Sequence, residues 1–301
     1  MPTRSTSHPT PPPVVVGVDG SAAGDAALHW AVDEAARRGS PLRVVHALDR
    51  GDSEAFLLAN PVFVAAQRAA AEQVLDDAVD RACGRAPGLD VRPVLEVGFP
   101  AVVLLEQAGG GDVVVVGSRG RGGFAGLLLG STSMRVVQHA RGTVVVVRCT
   151  TGDVAAGPSA GRIVVGADGS PSDEPALRFA FDRARSRGLG VTALRAWPPP
   201  AVYLDTPAAH RWELLEKEAE AVLSADVEPW RVRYPQVDVV ERVVFGSAGG
   251  ALVAESAGAE LVVVGRRGRG GVAGLLLGSV GQTALHHARC PVAVVPAAPG
   301  A

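Results

Sequence analysis

Internal repetition constrains this chain more than any other feature. Gly117–Met134 reads GSRGRGGFAGLLLGSTSM and Gly265–Gln282 reads GRRGRGGVAGLLLGSVGQ, identical at 13 of 18 positions at an offset of 148 residues. The starts of the two halves agree as well: VVVGVDGSAA from Val14 matches IVVGADGSPS from Ile163, which aligns Asp19 with Asp168 at an offset of 149. So do the ends, HARGTVVVV from His139 and HARCPVAVV from His287. Offsets that drift by one residue across a whole half mean a duplicated domain. The expected organisation is a flexible tail over 1–13, a first domain over 14–149, a linker over 150–161, a second domain over 162–296 and a short tail over 297–301. The linker, TTGDVAAGPSAG, is small, polar and contains Gly and Pro.

Within each half, short β-branched runs alternate with helical segments. The expected strands are Val14–Val18, Leu42–Leu48, Val91–Val97, Asp112–Gly117 and Thr143–Arg148, then Ile163–Gly166, Val191–Trp197, Val237–Phe245, Leu261–Gly265 and Val292–Val295. Runs such as VVVV are apolar on successive residues and need cover on both faces, as strands of a parallel sheet do. Between them, Leu75, Val79 and Ala82 stack at helical spacing, and Leu214, Ala221 and Leu223 are read as one side of a second helix. Strand–helix alternation gives βαβ units and α/β architecture. Each half is therefore expected to be a Rossmann-like, doubly wound domain with a five-stranded parallel sheet. The closing strands would be exposed apolar edges unless paired.

The strongest motif follows the fourth strand of each half. Gly117, Gly120, Gly130 and Ser131, and again Gly265, Gly268, Gly278 and Ser279, form G-x2-G-x9-G-S between a strand and a helix. Glycines let backbone N–H groups approach an anion without a Cβ in the way. A Gly-Ser pair opening a helix offers free N–H groups and the positive end of the dipole to phosphate. Arg119, Arg121, Arg267 and Arg269 add positive charge, and Gly122, Gly123, Gly270 and Gly271 extend the glycine run. Ser118 is replaced by Arg266 in the second copy and Thr132 by Val280, so the two sites need not have equal affinity.

This spacing, with an Asp closing the first strand, resembles the ATP-binding class of the universal stress protein family, and the resemblance covers both copies. It implies that Gly17, Val18 and Asp19, and likewise Gly166, Ala167 and Asp168, lie against the nucleotide. The aspartate would meet the ribose or a phosphate-bound metal ion. Ala47 and Ala196, by position, would give backbone contacts to adenine, and the loop glycines with the Gly-Ser pair would hold the phosphates. The implied ligand is ATP, ADP or AMP, with Mg2+ held through Asp19 and Asp168. The implied role is a nucleotide-dependent regulator or sensor in a stress response. The family also implies antiparallel pairing of the last strands, here between the two halves, with a homodimer of chains as a further expectation.

Other readings are weaker. Asp19 could merely cap the first helix, a task for which Ser21 competes. RGRGG could contact RNA, but it is short and lacks aromatic partners, and aromatics make up only 4% of the chain. A slow ATPase or phosphotransferase would need a general base or a Walker lysine beside the loop, and the sequence offers neither, although metal held by the aspartates leaves weak hydrolysis open. A dinucleotide oxidoreductase needs G-x-G-x-x-G after the first strand, where this chain has GVDGS and GADGS. A scaffold with vestigial sites fits poorly with a motif intact in both halves. His139 and His287 fall near helix C-termini, where histidine satisfies carbonyls and the dipole. Cys83, Cys149 and Cys290 form no metal or disulfide pattern, and Cys290 reads as packing. Net charge of −2 gives no pull towards nucleic acid or an anionic membrane. The apolar runs are too short to span a bilayer, and a cytoplasmic location is expected. The segments after the second strands, Asp49–Asn60 and Pro198–Pro207, differ most between halves and would set which protein partner sees the bound state.

Overall fold

The computed structural model describes residues 11–49, 61–120, 129–149, 157–170, 173–197, 209–268 and 277–298. The first half runs β1 (Val14–Gly17), α1 (Ala22–Arg38), β2 (Leu42–Leu48), α2 (Pro61–Arg85), β3 (Val91–Val97), α3 (Pro100–Glu106), β4 (Val113–Gly117), α4 (Ser131–His139) and β5 (Thr143–Val147). The second runs β6 (Ile163–Gly166), α5 (Asp173–Arg187), β7 (Val191–Trp197), α6 (Ala209–Arg233), β8 (Val239–Phe245), α7 (Ala248–Glu255), β9 (Leu261–Gly265), α8 (Ser279–His287) and β10 (Val292–Val295). The expected strands are all present, with ends trimmed by a residue or two. Val237, for example, lies in a turn with its N–H on the Tyr234 carbonyl, ahead of β8.

Strand order is β3-β2-β1-β4-β5-β10-β9-β6-β7-β8, so each half is a parallel, doubly wound 3-2-1-4-5 sheet. The halves join through β5 and β10, the one antiparallel pair among the described strands, in the register Val146–Val292, Val145–Ala293 and Val144–Val294. Val145 and Ala293 are equivalent positions of the repeat, so a pseudo-twofold axis passes between them. Successive residues of the sheet face opposite layers. Val14 and Val16 join one core with α1, α2, α5 and α6, while Val15 joins the other with α3, α4, α7 and α8. Both cores run without a break across the two halves.

Helix α6 departs from the sequence reading. Its buried side is Ala219, Leu223, Val227 and Trp230, whereas Leu214 is 66% exposed. Leu214 precedes Leu223 by nine residues, two and a half turns, and Ala221 precedes it by two, so both lie away from the sheet. Leu75, Val79 and Ala82 of α2 do share the inward face.

The same axis brings Glu34 of α1 against Arg183 of α5, the equivalent position of the other half. Both side chains are almost wholly buried. Glu34 also binds Arg38 at 2.7 Å and Arg37 at 2.5 Å, and Arg183 lies over the Trp30 ring at 4.2 Å. Burial opposes the charge of Glu34, but Arg183, Arg38 and Arg37 outweigh it and hold the carboxyl down at about 2. Arg183, buried and facing Arg37 and Arg187 as well as Glu34, is pulled down to about 10.

Removing one member of such a pair leaves the other charge buried and alone. Glu34→Ala is expected to cost about 3–5 kcal/mol in urea unfolding, and replacing both partners by apolar residues (E34L/R183L) to recover most of it, since Arg37 and Arg38 beside position 34 rule out a simple exchange of charges. Retention of full stability by Glu34→Ala would contradict the role given to the pair. Because the folded carboxyl titrates below its ordinary 4.5, its contribution is complete above that pH and fades as pH falls towards 2. The stability gap between wild type and Glu34→Gln should therefore be widest near neutral pH and narrow steadily below pH 4.5.

Candidate functional site

At the carboxyl ends of the strands, β1 and β4 lie side by side while their following helices leave to opposite faces. This is the switch point at which open α/β sheets bind ligands. In the first half it holds a cavity of about 590 Å³ lined by Gly17, Val18, Asp19, Gly24, Val45, His46, Ala47, Asp49, Pro100, Leu104, Val116, Gly117, Arg119, Gly120, Gly130, Ser131, Thr132 and Ser133. That volume is within the range of small-molecule sites, roughly 300–1,000 Å³.

Helix α1 starts with a conventional cap: the Ser21 side chain accepts from the Gly24 N–H at 3.1 Å. Asp19 is placed by the same turn, its Oδ1 accepting the Ser21 N–H at 3.0 Å and hydroxyl at 2.6 Å. Ser21 therefore takes the capping role that Asp19 might have had. The opposite oxygen, Oδ2, faces Gly120, where a Cβ would sit 2.5 Å from it. At Gly117 a Cβ would fall 2.7 Å from the Ala23 backbone, so the start of the loop lies directly on the start of α1.

The loop leaves and returns through backbone bonds. Ser118 N–H donates to the Val147 carbonyl at 2.7 Å, and Gly130 N–H to the Ser118 carbonyl at 2.8 Å. Helix α4 then opens at Gly130 with no side-chain hydrogen bond to its cap. Its first-turn N–H groups thus lie at the cavity wall with the positive end of the dipole behind them. Ser133 donates its hydroxyl to the Gly117 carbonyl at 2.7 Å, tying the helix to the strand end.

The second half repeats the plan in a cavity of about 260 Å³. Gly166, Ala167, Asp168, Ala196, Gly265, Arg267, Gly268, Gly278, Ser279 and Val280 line it, joined by Ser170, Asp173, Leu194, Ala248, Leu252, Val264, Leu277 and Gly281. Helix α8 likewise opens at Gly278 without a side-chain cap. Asp168 accepts the Ser170 N–H at 3.0 Å. Asp173 has no counterpart in the first site, where its place is held by Gly24. Its carboxylate accepts the N–H groups of Asp168 at 2.8 Å and Gly169 at 2.5 Å, and the Ser170 hydroxyl at 3.3 Å. Burial pushes the Asp173 carboxyl up to about 6, with the neighbouring charge of Asp168 adding to the rise.

Most of the residues expected at the sites line the cavities, with two exceptions. Ser118 is buried, engaged through its backbone, and Arg266 turns away, donating to the Ala140 and Gly142 carbonyls of the other half. Arg121, Gly122, Gly123, Arg269, Gly270 and Gly271 lie outside the described residues, as do positions 50–60 and 198–208. Among the described residues no cluster of three His, Cys, Asp or Glu could bind a metal on its own, so any cation at Asp19 or Asp168 would need ligand oxygens as well.

His46 was not legible as a site residue. Its Nδ1 donates to the Val18 carbonyl at 2.7 Å, so the ring closes the wall between β1 and β2. Arg195 takes its place in the second half, reaching the Asp168 carbonyl and Asp226. His139 bonds the Arg135 carbonyl at 3.0 Å, the structural role expected of it. Cys290 is buried, and burial pushes its thiol up to about 12, which suits packing and not chemistry.

The sequence model described as the universal stress protein family matches residues 12–148 and again 160–296. The universal stress protein Rv2005c of Mycobacterium tuberculosis is 38% identical over 285 residues, 93% of this chain and 96% of the relative. A universal stress protein of Mycolicibacterium smegmatis is 36% identical over 293 residues, 94% of this chain and 96% of the relative. The crystal structure of a universal stress protein from Archaeoglobus fulgidus matches with a TM-score of 0.68, covering 97% of this chain and 98% of its own. At 18% identity that likeness shows the shared fold.

The contact of Gly117 with Ala23 gives a test of this geometry that needs no ligand. Gly117→Ala should lower unfolding stability by ~1–3 kcal/mol, the usual cost of overpacking, read as a fall in urea midpoint. An unchanged midpoint would mean the loop does not rest on α1 as described.

Proposed function

The chain belongs to the universal stress protein family, and we propose that it binds adenine nucleotides in its two cavities, ATP in the first, as a nucleotide-dependent regulator in a stress response. The observation that carries this is the uncapped N-terminus of α4 opening onto the first cavity, beside Arg119 and the glycine backbone of Gly117, Gly120 and Gly130. Backbone N–H groups, a dipole and a guanidinium at one end of a small-molecule cavity suit a phosphate chain. The other end, formed by Val18, Val45 and Ala47, is apolar and suits a flat base held by backbone polar groups.

In this reading Asp19 faces the ribose or, through Mg2+, the phosphates; the metal would neutralise phosphate charge. Ser131 and Thr132 offer N–H groups and hydroxyls to phosphate oxygens. Binding would favour the liganded form of the chain by mass action, and the surface around the mouth would then report occupancy.

Heat-denaturing freshly purified protein and resolving what it releases by anion exchange tests the reading. Adenine nucleotide in amounts comparable to the protein is expected. No release, together with no heat on adding ATP and Mg2+, would show the glycine loops to be turns only. Gly120→Ala should weaken ATP binding at least about tenfold, some 1.4 kcal/mol, because its methyl would displace the Asp19 carboxylate from the loop.

A further inference from the structure

The two cavities share a plan and differ in charge at several positions, among them His46 against Arg195 and, on the side of the glycine loop, Gly24 against Asp173. Gly24 in the first half has no side chain, and where a Cβ would project, the nearest atom is Asp19 Oδ1 at 2.8 Å. In the second half the same position is Asp173, the first residue of α5, and its carboxylate fills the start of that helix. It accepts two backbone N–H groups, those of Asp168 and Gly169, at 2.8 and 2.5 Å. These N–H groups belong to the turn between β6 and α5 at the cavity wall, where an incoming anion could use them, and here a carboxylate of the chain already occupies them.

The place of this carboxylate matters more than the count of charges. The first cavity also has a second acid, Asp49, but Asp49 follows β2, and β1 separates β2 from the glycine loop. The Gly24 position is on the loop side: its neighbour Ala23 rests on Gly117, where the loop begins. In the second half, Asp173 lines the same cavity as Gly265, Gly268, Gly278 and Ser279 of the phosphate end. That cavity is also the smaller, about 260 Å³ against 590 Å³. Two carboxylates, Asp168 and Asp173, then face Arg267 as the cation lining it. A triphosphate would have to approach both acids in a confined space, where like charges repel more strongly than in water.

We propose that Asp173 makes the second cavity selective for an adenine nucleoside or its monophosphate and excludes the triphosphate, so that the chain binds one ATP, in the first half, and keeps the second site for a less charged ligand. The proposal rests on the adenine reading of the cavities given above and assigns the charge class of the second ligand. A chain with two such sites compares two species of the adenine pool, where a symmetric pair of sites would count one.

The test uses the full chain in equilibrium dialysis with ATP plus Mg2+ and, separately, with adenosine. Wild type should bind one ATP and two adenosines per chain. Asp173→Asn keeps an oxygen to accept the backbone N–H groups but removes the charge, and Asp173→Gly copies the first site. Each should gain a second ATP site, with affinity raised at least about tenfold over wild type. The gained site should vanish when Gly268→Ala is added, since a methyl there meets the Asp168 carboxylate. Two equal ATP sites in wild type, or one ATP site in both Asp173 variants, would overturn the proposal and leave the adenine reading standing. Binding of neither compound to wild type would overturn the adenine reading itself, and this proposal with it.

Discussion

Two five-stranded half-sheets meet edge to edge at the pseudo-twofold axis, through β5 and β10. Strand β5 or β10 alone would be an exposed apolar edge with unpaired N–H and C=O groups. Their antiparallel pairing, centred on Val145 and Ala293, satisfies those groups and merges two five-stranded sheets into one of ten. Twofold pairing of this kind brings equivalent positions face to face at the axis. In an unmodified duplicate, like would meet like there. This chain has placed Glu at 34 and Arg at 183, so the buried contact on the axis is attractive, whereas a first half meeting another first half would bury two acids. Duplication within one chain permits this divergence, and the sequence of the two halves makes the pairing directional.

The axis also places the sites. Helix α1 begins at the first cavity with Ser21 and Gly24, α5 begins at the second with Asp173, and the two helices meet at Glu34 and Arg183 towards their far ends. The two cavities therefore sit at the starts of helices that share one buried ion pair. Arg148 and Arg266 add further ties, each donating to backbone carbonyls of the opposite half. Arg266 stands where the first half has Ser118, so the second half gives up a small polar residue beside its loop to hold the partner.

Much of this was legible in the sequence, because it is carried by pattern. The repeat, the β-branched runs and the glycine spacing are linear signals, and they led to the strands, the doubly wound order and the residues lining both cavities. What was lost depends on three-dimensional direction. Leu214 and Leu223 of α6 looked like one side when they are half a revolution apart. Ser118 and Arg266 sit inside the motif, yet the first is buried and the second reaches across to backbone carbonyls of the opposite half. His46 carries no motif at all; it matters because parallel pairing brings β2 beside β1, within reach of the Val18 carbonyl. Asp173 is one acid among many in the sequence, and only its hydrogen bonds to the Asp168 and Gly169 backbone separate it from a solvated residue.

In the proposed function, backbone N–H groups at the start of α4, beside Asp19 and the loop glycines, hold the phosphates of a nucleotide. Amide hydrogen exchange followed peptide by peptide, with and without saturating ATP and Mg2+, addresses those groups directly. Slowed exchange is expected in peptides covering 17–20 and 129–134, with far smaller change in β3 and α2, which do not line the cavity. Unchanged exchange over 129–134 under saturating ligand, or protection confined to other surfaces, would contradict it.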